Sequence, residues 1–148
     1  MKVIRIREDE QLRKAFAVRM EVFVEEQKVP EDLEMDEHDA SPDAARHVLL
    51  EADGEPAATG RFIEYKPDTA KMQRIAVRLP YRGKGVGAAL MNELERWASE
   101  EGYRYSLLDA QCQAAPFYEK LGYETVSPET FLDAGIPHVR MKKTLRAE

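Results

Sequence analysis

Apolar and charged residues alternate in KVIRIR, residues 2–7, the period of a strand with one buried face. The period then changes. In DEQLRKAFAVRMEVFVEEQ, residues 9–27, Leu12, Phe16, Met20 and Phe23/Val24 recur at helical spacing, with Asp9 as a candidate N-cap and Pro30 closing the run. The acidic stretch EDLEMDEHDASPD, residues 31–43, ends in turn formers and predicts a loop or a short helical turn. Two apolar runs, RHVLLEA and PAATGRFIEY, flank Asp53-Gly54, a strong hairpin signal, and Lys66-Pro67-Asp68 turns the chain into TAKMQRIAV. The middle of the chain thus predicts a three-stranded antiparallel meander. A helix follows over 86–101, apolar at Val86, Leu90, Leu94 and Trp97/Ala98 and stopped by Gly102. Residues 103–109 predict a short strand, 113–121 a short helix stopped by Gly122, and 135–145 a last strand.

The predicted order is β-α-β-β-β-α-β-α-β, with no internal repeat and no linker, so a single domain is expected over 1–148. The strand–helix–strand step around residues 69–109 requires a parallel neighbour, reached by a right-handed crossover; the hairpins require antiparallel ones. The expected class is α/β in the α+β sense: a mixed, mostly antiparallel central sheet with helices on both faces.

Composition narrows the function classes. The 148 residues carry a net charge of -6, which argues against a general nucleic-acid binder. No apolar run approaches the ~20 residues that span a bilayer, and MKVIRIREDE has no signal-peptide h-region, so no membrane partner is expected. Cys112 is the only cysteine; it excludes an internal disulfide, suits a reducing cytoplasm, and has no evident partner for a nucleophilic role.

One stretch concentrates chemistry. Arg82-Gly83-Lys84-Gly85-Val86-Gly87 places three glycines and two cations at the entrance of the 86–101 helix, in a locally basic patch with Arg78. Glycine weakens a helix, but at its N-terminus bare amides and the helix dipole favour phosphate, and Arg82 adds a donor suited to its oxygens. Gly83-x-Gly85-x-x-Ala88, with Asp109 about 20 residues on, also matches a dinucleotide fingerprint. Against that match, LPYR separates the glycines from the preceding strand, a meander precedes them, and too little chain follows for the rest of such a sheet. No Gly-Lys-Ser/Thr follows for a Walker loop.

The same stretch resembles the acyl-CoA loop of the GNAT acetyltransferases, Gln/Arg-x-x-Gly-x-Gly/Ala. AAPFYEKLGY, with Ala114, Phe117, Tyr118, Gly122 and Tyr123, is similar to a second motif of that family. VRMEVFVEEQKVPED and FLDAGIPHVRM resemble its small bacterial ElaA/YjcF-like branch. The resemblance implies the acyl-CoA N-acyltransferase fold, acetyl-CoA as donor cosubstrate without a metal, and transfer to a primary amine of a small molecule or peptide by direct attack on the thioester. It implies that Ile75, Ala76 and Val77 bind the pantetheine and that the amides of Arg82, Gly83, Lys84, Gly85, Val86, Gly87 and Ala88 hold the pyrophosphate. It implies Gln111 and Phe117 beside the donor, and Tyr118 as the acid that protonates the leaving thiolate.

A general base is also needed. Lys71 and Gln73 stand where some members carry a glutamate, and Gln111 where asparagine is frequent, so Glu26, Asp36, His47 and His138 are the candidates for base or acceptor contact. Arg19, Phe23, Asp36, Asp39 and Arg61 resemble a set in acyl-homoserine lactone synthases, which makes Arg19, Phe23 and Arg61 candidate substrate contacts. Two alternatives stay open: an acyltransferase of that second kind, and a non-catalytic CoA-binding module. Homodimers are common in the family, although no seam in the pattern marks one.

Overall fold

The computed structural model describes residues 1–145. Strand β1 (Lys2–Arg5) leads to helix α1 (Asp9–Arg19), which continues into a π-helical segment, Met20–Glu26. A four-residue helix α2 (Glu31–Glu34) and a 3-10 turn (Glu37–Asp39) occupy the acidic stretch. The meander follows as β2 (Arg46–Ala52), β3 (Glu55–Lys66) and β4 (Thr69–Val77). Then come α3 (Val86–Glu100), β5 (Tyr105–Gln111), α4 (Ala115–Lys120), β6 (Glu124–Thr125), β7 (Phe131–Asp133) and β8 (Ile136–Thr144).

The sheet runs β1-β2-β3-β4-β5-β8-β6, with β7 also paired to β8, and only β4–β5 is parallel. This is the mixed sheet that the pattern predicts. Strand alternation sorts the two faces. Val48, Leu50, Phe62, Met72 and Leu108 pack under Leu90, Met91 and Leu94 of α3. On the opposite face Leu49 meets Leu12 and Ala15 of α1, and Ala76 meets Val18 and Val22.

Local departures have identifiable causes. Glu8, not Asp9, is the N-cap of α1, because Gln11 returns its side chain to the Glu8 amide in a capping box. The apolar repeat of residues 9–27 does not distinguish an α-helix from the π segment that ends it. Strand β7 went unpredicted because its turn to β8 is Ala134-Gly135, with φ 51° and 78°. Alanine is rarely found in that left-handed region, whereas Asp53-Gly54 (55° and 78°) advertises the same kind of turn.

The feature that shapes the site is a bulge in β4. Thr59 pairs with Ala76 and Arg61 with Gln73, so Arg74 and Ile75 both lie opposite Gly60. Arg74 takes φ 56° to make the extra step. Gly60 makes room for it: a Cβ there would stand 2.7 Å from Ile75 Cδ1 and 3.0 Å from Leu94 Cδ1. Meanwhile β4 pairs with β5 only from Thr69↔Tyr105 to Met72↔Leu108, although both strands continue past that point. Beyond Met72 the strands part, and the β5-facing edge of β4 is left without a strand partner. Gly60→Val should therefore destabilise the fold by about 1–3 kcal/mol through overpacking against Ile75 and Leu94, read as a lowered denaturation midpoint; an unchanged midpoint would mean that the bulge has room to spare.

Candidate active site

A cleft of about 750 Å³ opens where β4 and β5 part. On one side it is lined by Ile75 and Val77 of β4, by Tyr81, Arg82, Gly83 and Gly85 of the loop, and by Val86, Gly87 and Ala88 at the start of α3. Gly85 is the N-cap of α3 at φ 79°, with no side-chain cap, and Ala89 is the first amide to donate back, to Gly85 O at 3.1 Å. The amides of Val86, Gly87 and Ala88 therefore have no acceptor within the helix. Gly83 (φ 75°) and Gly85 both occupy the left-handed region, and nothing stands within 4 Å of where their Cβ atoms would be. Gly87 differs, because its conformation is helical and a Cβ would press on Phe117 Cζ at 3.1 Å. The end of α3 is thus an uncapped donor surface facing open space, the arrangement that suits an anion.

The floor is aromatic. Tyr118 is 8% exposed and its ring meets Phe117 and Tyr123 edge-on at 5.0 and 5.9 Å. Burial pushes its hydroxyl well above the ordinary tyrosine range. No hydrogen bond to that hydroxyl occurs among the described residues. Tyr123, by contrast, shares its hydroxyl with Ser106 at 2.7 Å and Glu95 at 2.9 Å, outside the cleft.

The other side of the cleft is lined by Phe23 and Gln27 from the π segment and its end, by Glu34 of α2, by Gln73 and Arg74 of β4, by Asp109 and Gln111 of β5, and by His138 of β8. Gln111 donates to Gln27 at 2.8 Å and accepts from Gln113 at 2.6 Å. Asp109 is held by Arg140 at 2.8 and 3.1 Å and by Lys71 at 3.4 Å, so it serves an ion cluster and is not free for a ribose hydroxyl. His138 directs Nδ1 at Ile136 O, 2.6 Å away.

Four expected substrate contacts lie elsewhere. Arg19, Asp36, His47 and Arg61 do not line the cleft; the buried Arg19 and Arg61, with the partly exposed Asp36, hold the acidic stretch on the sheet, and the buried His47 meets the backbone of that stretch at His38. Arg19 donates to Glu34 at 2.6 Å and to both oxygens of Asp39 at 2.6 and 2.9 Å. Arg61 grips Asp36 at 2.8 and 2.7 Å, Asp39 at 2.8 Å and Gln73 at 2.9 Å. His47 Nε2 lies 2.9 Å from His38 O, and burial holds its pKa below the usual value. Glu26 also stands outside the cleft lining, because both its oxygens take Arg82, at 2.7 Å each. Phe23, Gln111, Phe117, Tyr118 and His138 do converge on the cleft. Lys84 is exposed beside it, and Ala76 turns the other way, against Val18 and Val22. Cys112 is a free, half-buried thiol just past β5.

The network explains its own charges. Burial favours protonation of Asp39, but hydrogen bonds from Arg19 and the Asp36 amide, with the charges of Arg19 and Arg61, outweigh it and hold the carboxyl far below its ordinary range. Glu34 has Arg19 with Arg74 only at 3.5 Å, so burial wins and its pKa is raised. Sequence reading missed Glu34, Arg74 and Gln27 as cleft residues. Glu34 is one of seven carboxylates in residues 31–43 with nothing to single it out, and no local signal marks Arg74 as the residue of a bulge. Among the described residues no group of His, Cys, Asp and Glu is arranged to hold a metal, and no helix is long and apolar enough to cross a membrane.

Comparison with known proteins places this architecture. Residues 6–145 match the family model described as an acetyltransferase (GNAT) domain, and the chain belongs to that family. It is 42% identical over 143 residues to the Bacillus subtilis protein named "Uncharacterized N-acetyltransferase YjcF", covering 97% of this chain and 99% of that one. It superposes on the structure of Escherichia coli ElaA with a TM-score of 0.82 and 27% identity, over 96% of this chain and 98% of that one. It shares the fold of an aminoglycoside 6'-N-acetyltransferase solved with coenzyme A (TM-score 0.76, 16% identity, 100% and 99% covered). The chain is an acyltransferase of the ElaA/YjcF-like branch.

Removing one member of the network leaves buried charge unmatched, so Asp39→Asn should cost about 3–5 kcal/mol at neutral pH in a denaturant titration. Asp36 and Asp39 have lowered folded pKa values, so their contribution is complete above the unfolded value near 4 and is lost as pH falls through the folded values. Wild-type stability should accordingly fall below about pH 4, and Asp39→Asn should show a smaller acid-dependent loss; parallel curves would contradict this assignment.

Proposed function

We propose that the protein transfers an acetyl group from acetyl-CoA to a primary amine by direct attack on the thioester. The observation that carries the reading is the meeting, in one cleft, of the unpaired edge of β4, the uncapped glycine-lined end of α3 and the unpartnered hydroxyl of Tyr118. Membership of the acetyltransferase family and the coenzyme A complex of a protein sharing the fold support the donor.

In this reading the pantetheine lies along Ile75, Ala76 and Val77 as a short added strand, using backbone groups that β5 leaves free. The pyrophosphate sits at the amides of residues 82–88, where Gly83 and Gly85 interpose no side chain. A β4 amide near Val77 supports the developing oxyanion. The thiolate leaves toward Tyr118, whose hydroxyl burial keeps protonated and so available as a donor, while the same dry surroundings raise the proton affinity of the departing thiolate. The acceptor enters beside Phe23, Gln27, Gln111 and His138.

Arg82 takes a modified part. Its guanidinium is already engaged by Glu26 and by Val77 O at 2.8 Å, so a phosphate must compete for it. Glu26 therefore acts on donor affinity rather than as a base.

Calorimetry should register CoA binding, and acetyl-CoA with an amine panel should release free thiol; absence of CoA binding would sink the proposal. Tyr118→Phe should lower kcat about 10²-fold or more with CoA affinity little changed, whereas a matching loss of both would make the residue a packing element. Glu26→Gln should tighten CoA up to about fivefold, the worth of a half-exposed ion pair; unchanged affinity would place the Arg82 guanidinium away from the phosphates.

A further inference from the structure

We infer that His138 is the general base of the transfer, acting through Nε2; the inference rests on the acyl-transfer reading above. The proton inventory of the cleft leads there. Asp109 is taken by Arg140 and Lys71, Glu34 by Arg19 and Arg74, and Asp133 is an exposed carboxylate at the end of β7, not held in a buried position as His138 is. Glu26, Asp36 and His47 lie outside the lining and are bound to Arg82, Arg61 and His38 O. His138 lines the cleft, is 8% exposed, and has one ring nitrogen with no partner among the described residues.

Its tautomer follows from its neighbour. Ile136 O, 2.6 Å from Nδ1, only accepts, so Nδ1 carries the hydrogen and the neutral ring presents a lone pair at Nε2. The ring is fixed from two directions. Nδ1 is tied to the backbone of its own strand, and one face stacks on Phe131 of β7 at 6.1 Å and 26°. In the sheet His138 pairs with Gln111 at the end of β5, whose amide is committed to Gln27 and Gln113 and does not contest Nε2. The tight Ala134-Gly135 turn, with alanine in the left-handed region, delivers this hairpin to the cleft, and Ala134 itself lines it.

The chemistry then balances. An alkylammonium, ordinarily of pKa near 10, gives one proton to Nε2, which passes it to solvent. The neutral nitrogen attacks the thioester carbon; the C–N bond forms and the C–S bond breaks. The Tyr118 hydroxyl protonates the departing thiolate, and the second proton shed by the nitrogen restores the tyrosine. The products are the amide, the free thiol and one proton released.

The test uses the full chain with acetyl-CoA and whichever amine of the panel wild type acetylates. His138→Asn keeps an N–H for Ile136 O but has no base at the Nε2 position. It should lower kcat/KM for the amine about 10²–10⁴-fold while leaving CoA affinity and the unfolding midpoint in place. In His138→Ala, added imidazole should raise the rate several-fold, and it should leave wild type unaffected. An Asn variant within about threefold of wild type, or one losing CoA binding along with rate, overturns the assignment while the transferase reading stands. A wild type that binds CoA but acetylates no amine overturns both.

Discussion

Two parallel strands that share four paired positions and then part create the condition on which the rest of the molecule depends. A sheet interior is normally hydrogen-bonded on both sides, and an unpaired strand edge invites another chain. Here the edge is internal, flanked by α3 and α4 on one face and by the π segment and α2 on the other. What reaches it must be slender, extended and rich in hydrogen-bonding groups. The bulge at Arg74 and Ile75 opposite Gly60 accompanies the divergence, and the left-handed turn at Arg74 aims its guanidinium at α2, where it donates to Glu34 O at 3.1 Å. One strained residue thus joins β4 to α2 across the cleft lining.

That joining recurs along the chain. Arg74, Arg78 and Arg82, spaced by four, hold Glu34, Glu21 and Glu26 respectively. The Arg78–Glu21 and Arg82–Glu26 pairs are partly exposed and contribute little to stability. Their consequence is geometric, since they fix the segment from Glu21 to Glu34 against β4 and the glycine loop. Beneath them the buried set of Arg19, Asp39 and Arg61 is a matched network, which is strongly disfavoured when one partner is missing. Within the acidic stretch, Glu34, Asp36 and Asp39 are held internally by Arg19, Arg61 and Arg74. In the proposed reading, acceptor selection therefore falls to the cleft lining, to Gln27, Gln111 and His138.

Strong periodicity made most of the fold readable: the meander around Asp53-Gly54, the helix of Leu90 and Leu94, and the parallel crossover. The glycine-lined end of α3 was readable for a related reason, because bare backbone leaves a trace of missing side chains, and Gly83 and Gly85 stand out in a helix entrance. The acceptor side was less so. Arg19, Asp36 and Arg61 look like substrate contacts in one dimension and are network members in three, because only the folded sheet shows which carboxylate each guanidinium meets. Ala134 hides a hairpin turn behind an ordinary residue. His138 could be named from its strand, but its free nitrogen depends on Ile136 O, a backbone atom that no sequence pattern marks.

The central claim is that the diverging edge of β4 and the end of α3 receive one CoA molecule. Amide-resolved NMR during CoA titration tests it most directly. The account predicts that the largest shifts fall on residues 75–77 and 82–88, with the ring signals of Phe117 and Tyr118 moving too, while the amides of β1 and β2 stay still. Shifts confined to other surfaces, with residues 82–88 unmoved at saturation, would contradict it.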